Sequence, residues 1–242
     1  MAGRCLRAGA QVGGIDIDRA ALAEAASAHG ACFTAIPVDI RDELAVHTAL
    51  AALGSRFTDV HGLVNCAGVG GYTGDVTQTS MADWQRIIGV NLTGTMLGIR
   101  TLAPLMPDHD GASIVNIGSI AGLSGHFALS YTVSKWGLRG LTRAVALELA
   151  GRGIRVNIVH PGPIDTPILD GADPVFVQAS IDTTLAGRAG RADEVADVVV
   201  FLLSARAAYL NGQDIPVDGG FSSHGGAKSI TDALAKAHPD TW

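Results

Sequence analysis

Short apolar runs that end in a polar or turn-forming residue, each separated from the next by a helical stretch, leave few folds open to this chain. Residues 11–15 lead into Asp16, 32–38 into Asp39, and 61–66 into Ala67 and Gly68. Residues 113–117 lead towards Ser119, 154–159 towards Pro161, and 213–217 into Asp218. Between them, residues 20–28, 42–53, 80–106, 130–150 and 193–203 read as helices. Residues 6–8 read as a helix end stopped by Gly9. Asp18 is placed to cap the 20–28 helix, and Ser80, with Asp83 three residues on, to cap 80–106. Residues 164–190 read as a long irregular segment. Strands alternating with helices predict an α/β protein with a doubly wound parallel sheet in three layers. Ligands of such sheets lie outside the carboxyl ends of the strands. Asp16, Asp39, Asn65, Ser119 and Pro161 all fall at such ends.

The chain has 242 residues, 48% of them hydrophobic, enough for one sizeable core. A single domain is expected over residues 1–220, followed by a C-terminal extension, 221–242. In that extension residues 223–237 read as a linker and a short helix capped by Ser229, with Leu234 available to a neighbouring subunit. The net charge is −6 and no stripe of Lys and Arg forms, which argues against a nucleic-acid partner. Cys5, Cys32 and Cys66 are scattered, with neither a disulfide framework nor metal-ligand spacing. No apolar run is long enough to span a bilayer, and residues 1–10 lack a signal-peptide core. The expectation is a cytoplasmic protein with no metal, no membrane partner and a small-molecule substrate.

The densest chemistry lies between Ser119 and Lys135. Tyr131 and Lys135 are four apart, so a helix puts them on one face. A phenol titrates near ~10, and a neighbouring cation favours the phenolate. A tyrosine so tuned can exchange a proton near neutral pH. Ser119, delivered to the sheet edge by the strand before it, can hydrogen-bond the same substrate oxygen. Y-x-x-x-K by itself is common by chance; its surroundings make it specific.

Those surroundings are N-C-A-G at 65–68, V-N-L-T-G at 90–94, I-V-N-I-G-S at 114–119, Y-T-V-S-K at 131–135, R-V-N-I-V-H-P-G at 155–162 and D-G-G at 218–220. In this order they resemble the short-chain dehydrogenase/reductase family over residues 9–220. S-K-W-G-L-R-G-L at 134–141 and V-H-P-G at 159–162 look similar to bacterial NAD-dependent hydroxysteroid and secondary-alcohol dehydrogenases. The resemblance implies a Rossmann-like fold and an NAD(H)-dependent oxidoreductase that interconverts a secondary alcohol and a ketone, on an apolar or cyclic substrate. It implies Tyr131 as general acid/base, Lys135 lowering the tyrosine pKa and holding the nicotinamide ribose, and Ser119 polarising the substrate oxygen. Asn91 is expected to hold a water that links Lys135 to solvent. Asp16 at a strand end accepts from ribose hydroxyls and repels a 2′-phosphate, which favours NAD over NADP. Asp39 and Ile40 match adenine-contacting positions. Asn65, Ala67 and Gly68 line the cofactor, and Pro161, Gly162, Ile164 and Thr166 shape the nicotinamide pocket. Leu123, His126, Phe127, Leu169 and Phe176 are the substrate candidates. His160 and Trp136 read as packing. The family commonly forms tetramers; here a homotetramer or dimer would use the 80–106 and 130–150 helices, with Ala144, Ala146 and Ala150 permitting close approach.

The sequence departs from that pattern in several places. The family opens with a strand and a glycine-rich turn that cradles a pyrophosphate at a helix N-terminus; neither occurs here. That strand is central in the family's sheet, so a gap between two strand edges is expected. The expectation follows that roughly two dozen natural residues precede Met1, judged from the usual βα unit. Ser119 to Tyr131 is one residue shorter than is usual, and Cys66 replaces an Asn. Two alternatives stay open: a 3-oxoacyl carrier-protein reductase, and a non-catalytic relative that has lost cofactor binding and serves as an oligomer partner. Asp108, His109 and Asp110, placed near the site rim, argue against docking of an acidic carrier protein.

Overall fold

The computed structural model describes residues 1–54, 59–71 and 76–240; the last two residues of the C-terminal extension lie outside them. Every run expected to be a strand is one. Helix α1 (Ala2–Arg7) ends where Gly9 takes φ +91°, and strand β1 (Val12–Asp16) follows. Helix α2 (Arg19–His29) is capped by Asp18, whose carboxylate accepts from the Ala20 and Ala21 amides. Then come β2 (Phe33–Pro37), α3 (Glu43–Gly54) and β3 (Gly62–Asn65). The 80–106 stretch is α4 (Met81–Ile88), a π turn over Gly89–Gly94, α5 (Thr95–Leu102) and a closing 3₁₀ turn. Strand β4 (Ser113–Ile117), α6 (Leu129–Leu149) and β5 (Arg155–Pro161) follow.

The segment 164–190 is not irregular. It holds β6 (Ile164–Asp165), α7 (Pro167–Asp170), α8 (Pro174–Thr183) and β7 (Gly190–Arg191). Both helices begin on a proline, which reads as a breaker in sequence but suits the first helical turn, where its missing N–H costs nothing. Helix α9 (Ala192–Leu203), β8 (Asp214–Val217) and α10 (Ala227–Ala237) complete the chain. Helix α10 starts at Gly226, not at a Ser229 cap; the Ser229 hydroxyl donates to the Gly226 carbonyl at 2.8 Å.

All strand pairings are parallel: β3-β4-β5-β8 form one sheet, β1-β2 a second, and β6-β7 a short third. Alternate residues of the central strands feed opposite cores. Ile114 and Val156 face α3, α5 and α6, whereas Val115 and Val159 face α9 through Val195, Val199 and Leu202. Burying each such side chain stabilises by about 1.5–3 kcal/mol. Arg4 ties α1 to α9 through Asp193 (3.1 Å) and Asp197 (2.9 Å). Among the described residues β1 and β3 do not pair. A cleft of about 110 Å³ separates them, lined by Ile15, Val38 and Ile40 on one side and Leu63, Val64 and Asn65 on the other. This is the gap expected where the family's first strand would lie. No helix among the described residues is long and apolar enough to cross a membrane.

Candidate active site

Strand β4 and helix α6 build the centre of the site. Ser119 stands two residues beyond β4, in extended backbone, and its hydroxyl accepts from the Ala121 amide at 3.1 Å to cap a 3₁₀ turn. The same hydroxyl is the polar neighbour that favours the Tyr131 phenolate, from beside the first turn of α6. Lys135, one turn on, is buried and donates from Nζ to the Ile117 carbonyl at the end of β4, 2.9 Å away. Its ammonium lies 5.5 Å from the Tyr131 ring centroid. The expected lowering of the tyrosine pKa is not found. Burial pushes the phenol above its ordinary value, and the nearby Ser119 hydroxyl offsets this only in part. Lys135 is itself desolvated, which lowers it to about 8 and weakens the cation that was to favour the phenolate.

Asn91 sits in the π turn, a distortion often found at functional positions. It is buried, and its amide is fully engaged. Its oxygen accepts from the Val69 amide at 2.8 Å, and its nitrogen donates to the Val69 carbonyl and the Ser134 hydroxyl, both at 3.0 Å. Asn91 therefore pins the loop after β3 to α6. Gly68 passes beside the lysine: a methyl there would lie 3.5 Å from Asn91 Oδ1 and 3.7 Å from Lys135 Nζ, in ordinary van der Waals contact.

The other cofactor candidates gather along the same sheet edge. Asp16 ends β1, exposed, and accepts from the Asp18 amide at 3.0 Å. Asp39 is held by Arg41 through Nε at 3.0 and 3.1 Å, and this partner lowers its carboxyl. Ile40, Asn65 and Ala67 line the cleft between the sheets. Asn65 donates to Asn116 Oδ1 at 2.8 Å. Pro161 ends β5. Gly162 is dictated by packing, because a Cβ there would lie 2.8 Å from Asp218 Cα. Thr166 precedes α7 and donates to the Ile164 carbonyl at 3.2 Å.

Three of the substrate candidates form one aromatic cluster. His126 stacks on Phe127 at 4.2 Å, and Phe176 of α8 meets both edge-on, at 6.0 and 5.2 Å. The His126 ring lies 6.4 Å from that of Tyr131. His126 is half-buried, and desolvation lowers its pKa. Leu123 follows the Ser119 turn and Leu169 lies in α7; both are half-buried.

Several positions differ from expectation. His160 is not mere packing, since both its ring nitrogens are engaged, one by the Ser119 peptide and one by Asp214. No local pattern marks this pairing, because the partners come from strands far apart in sequence. Trp136 is 45% exposed, and the Arg139 guanidinium stacks 4.7 Å from its ring. Ala146 is buried in the chain's own core and cannot meet a partner. Asp108 pairs with Arg152, and Asp110 with His61 at 3.1 Å. That loop precedes β4, so it lies at the amino edge of the sheet, away from the site rim, and the charge argument against a carrier protein falls.

The family pattern described as "Enoyl-(Acyl carrier protein) reductase" matches residues 1–222. "Inactive 2-(S)-hydroxypropyl-CoM dehydrogenase 2" of Xanthobacter autotrophicus is 36% identical over 230 residues, covering 92% of this chain and 100% of that one. "3-alpha-(or 20-beta)-hydroxysteroid dehydrogenase" of Mycobacterium tuberculosis is 44% identical over 177 residues, 73% of this chain, which spans 64% of that relative's length. Among solved structures, levodione reductase superposes with a TM-score of 0.83 at 30% identity, covering 90% of each chain. Agreement this broad in sequence and fold identifies the chain as a member of the short-chain dehydrogenase/reductase family, an oxidoreductase acting on CH–OH groups.

Proposed function

We propose that this chain interconverts an apolar or cyclic secondary alcohol and its ketone with NAD as coenzyme. The observation that carries the reading is Tyr131 and buried Lys135 on one face of α6, 5.5 Å from ring centroid to Nζ, beside the Ser119 turn at the carboxyl edge of the sheet. Bound nicotinamide would supply the hydride chemistry. In ketone reduction Tyr131 gives its proton to the substrate oxygen while Ser119 donates a hydrogen bond to it; in oxidation the proton returns to the phenol. Lys135 would hold the nicotinamide ribose, and Asn91, fixed in the π turn, braces the loop after β3 and helix α6 around that lysine. The aromatic cluster of His126, Phe127 and Phe176 suits a flat apolar substrate, with Leu123 and Leu169 as further walls.

The residues present fit both ends of a dinucleotide. Lys135 and Tyr131 would serve the nicotinamide ribose, and Asp16 the adenosine ribose. No glycine-rich turn occurs in this sequence for the diphosphate between them. NAD is favoured over NADP because Asp16 repels a 2′-phosphate and no Arg or Lys directly adjoins it in sequence before Arg19. A homo-oligomer is supported by α6, which leaves Trp136 and Leu147 exposed.

A second reading, the non-catalytic oligomer partner, is favoured by the word "Inactive" in the name of a relative matched along its whole length. One experiment separates the readings. Turnover of cyclic secondary alcohols and of 3-oxoacyl thioesters is measured beside NADH affinity, in the wild type and in Tyr131→Phe. The first reading expects Tyr131→Phe to lose roughly 10²–10⁴-fold in kcat with NADH affinity nearly unchanged. Undiminished turnover would remove Tyr131 from its role. Absence of turnover on the whole panel would favour the partner reading.

A further inference from the structure

His160 is wholly buried, on the last turn of pleat before β5 ends, and the proton-transfer scheme above makes no use of it. Its Nε2 lies 2.8 Å from Asp214 Oδ1 of β8. A carboxylate only accepts, so Nε2 carries a proton and donates. Its Nδ1 lies 2.8 Å from the Ser119 carbonyl oxygen and 3.3 Å from the Ser119 amide nitrogen. The ring can hold the serine peptide in either charge state, accepting from the amide as imidazole or donating to the carbonyl as imidazolium.

Asp214 is itself fixed from α6. Arg139 donates to its two oxygens from Nε at 2.9 Å and Nη2 at 3.2 Å, and Arg143 adds a further ion pair. Arg139 also donates from Nη1 to the Gly122 carbonyl at 3.0 Å. His160 therefore grips the start of the turn that carries Ser119, and Arg139 grips its end. The space for the ring is cut by glycines: a Cβ on Gly118 would lie 2.6 Å from His160 Nδ1, and one on Gly122 3.4 Å from its Cε1.

We infer that His160, backed by Asp214 and Arg139, is the positioning residue that aims the Ser119 hydroxyl at the Tyr131 phenol and the substrate oxygen. The inference rests on the functional reading above for Ser119 and Tyr131, but the hydrogen-bond path from Arg139 and Asp214 through His160 to the Ser119 peptide stands on geometry alone. A positioning error near 1 Å at a reacting group can cost about 10²-fold in rate.

A double-mutant cycle between His160 and Ser119 tests it, with two readouts. The first is kcat against KM on a cyclic secondary alcohol with NAD. The second needs no turnover: the alkaline absorbance titration of Tyr131, isolated by subtracting the titration of Tyr131→Phe. His160→Leu should lower kcat roughly 10–100-fold with little change in the coenzyme KM, and should raise the Tyr131 midpoint as Ser119→Ala does. His160→Asn, whose amide can still reach the Ser119 peptide, should recover most of both; His160→Phe replaces the leucine variant if that one folds poorly. In a Ser119→Ala background neither His160 change should add anything, because groups that act as one unit are not additive. Full multiplication of the two effects, or an unmoved Tyr131 midpoint in the folded apolar variant, would overturn the inference. A wild type without turnover whose Tyr131 midpoint still responds to His160 would overturn the functional reading and leave this one standing.

Discussion

At the scale of single residues, burial decides the electrostatics of the site. Lys135 is lowered from 10.5 to about 8 because its ammonium is desolvated. Its charge is therefore lost as pH rises through about 8, and NADH affinity should weaken over that range. Lys135→Arg, charged throughout, should remove the dependence; a titration of NADH affinity in both proteins checks it. The stability sign is the reverse. Between about 8 and 10.5 the unfolded chain holds a proton that the native one has released, so this residue's contribution to stability rises with pH there. Tyr131 moves upward for the same reason as Lys135 moves downward. Spacing revealed that these two side chains share a helix face, but the depth at which α6 buries them depends on β4 and the Ser119 turn packed over them. His160 was illegible for a related reason, since its value lies in partners on other elements.

At the scale of elements, the strands were legible because each apolar run closes on a polar or turn residue, and β4 falls on the expected residues 113–117. The π turn was not, because its apolar spacing continues that of α4 and α5. Its consequence is specific. Asn91→Ala would leave the Val69 amide and carbonyl without their side-chain partner, at a cost of roughly 1–3 kcal/mol. Urea melts should show that loss, and hydrogen exchange should rise in the loop after β3. Unchanged exchange there would contradict the role given to Asn91. A steric prediction belongs at the β5–β8 contact. Gly162→Ala would press a methyl against backbone at Asp218, and should cost about 1–3 kcal/mol as the strand ends move apart. An unaltered urea midpoint would show that the contact yields freely.

At the scale of the whole molecule, two features stand out: an open cleft between the sheets and an apolar outer face on α6. Leu147 is 81% exposed on a helix whose other face is core, and singly such a residue is ordinary. With Trp136 on the same helix it supports subunit contact. Light scattering should report a dimer or tetramer, and Leu147→Glu should shift it towards monomer; a wild-type monomer would contradict the assembly. The doubly wound arrangement was legible from strand–helix alternation, whereas the helices of 167–183 were hidden behind prolines that start them. The central claim is that the strand ends of this chain hold a dinucleotide between Asp16 and Lys135. Its most direct test is NADH binding to the 242-residue chain, read by energy transfer from tryptophan. The account predicts saturable transfer that NAD displaces and that Asp16→Ala weakens. No saturable transfer from the folded chain would contradict it.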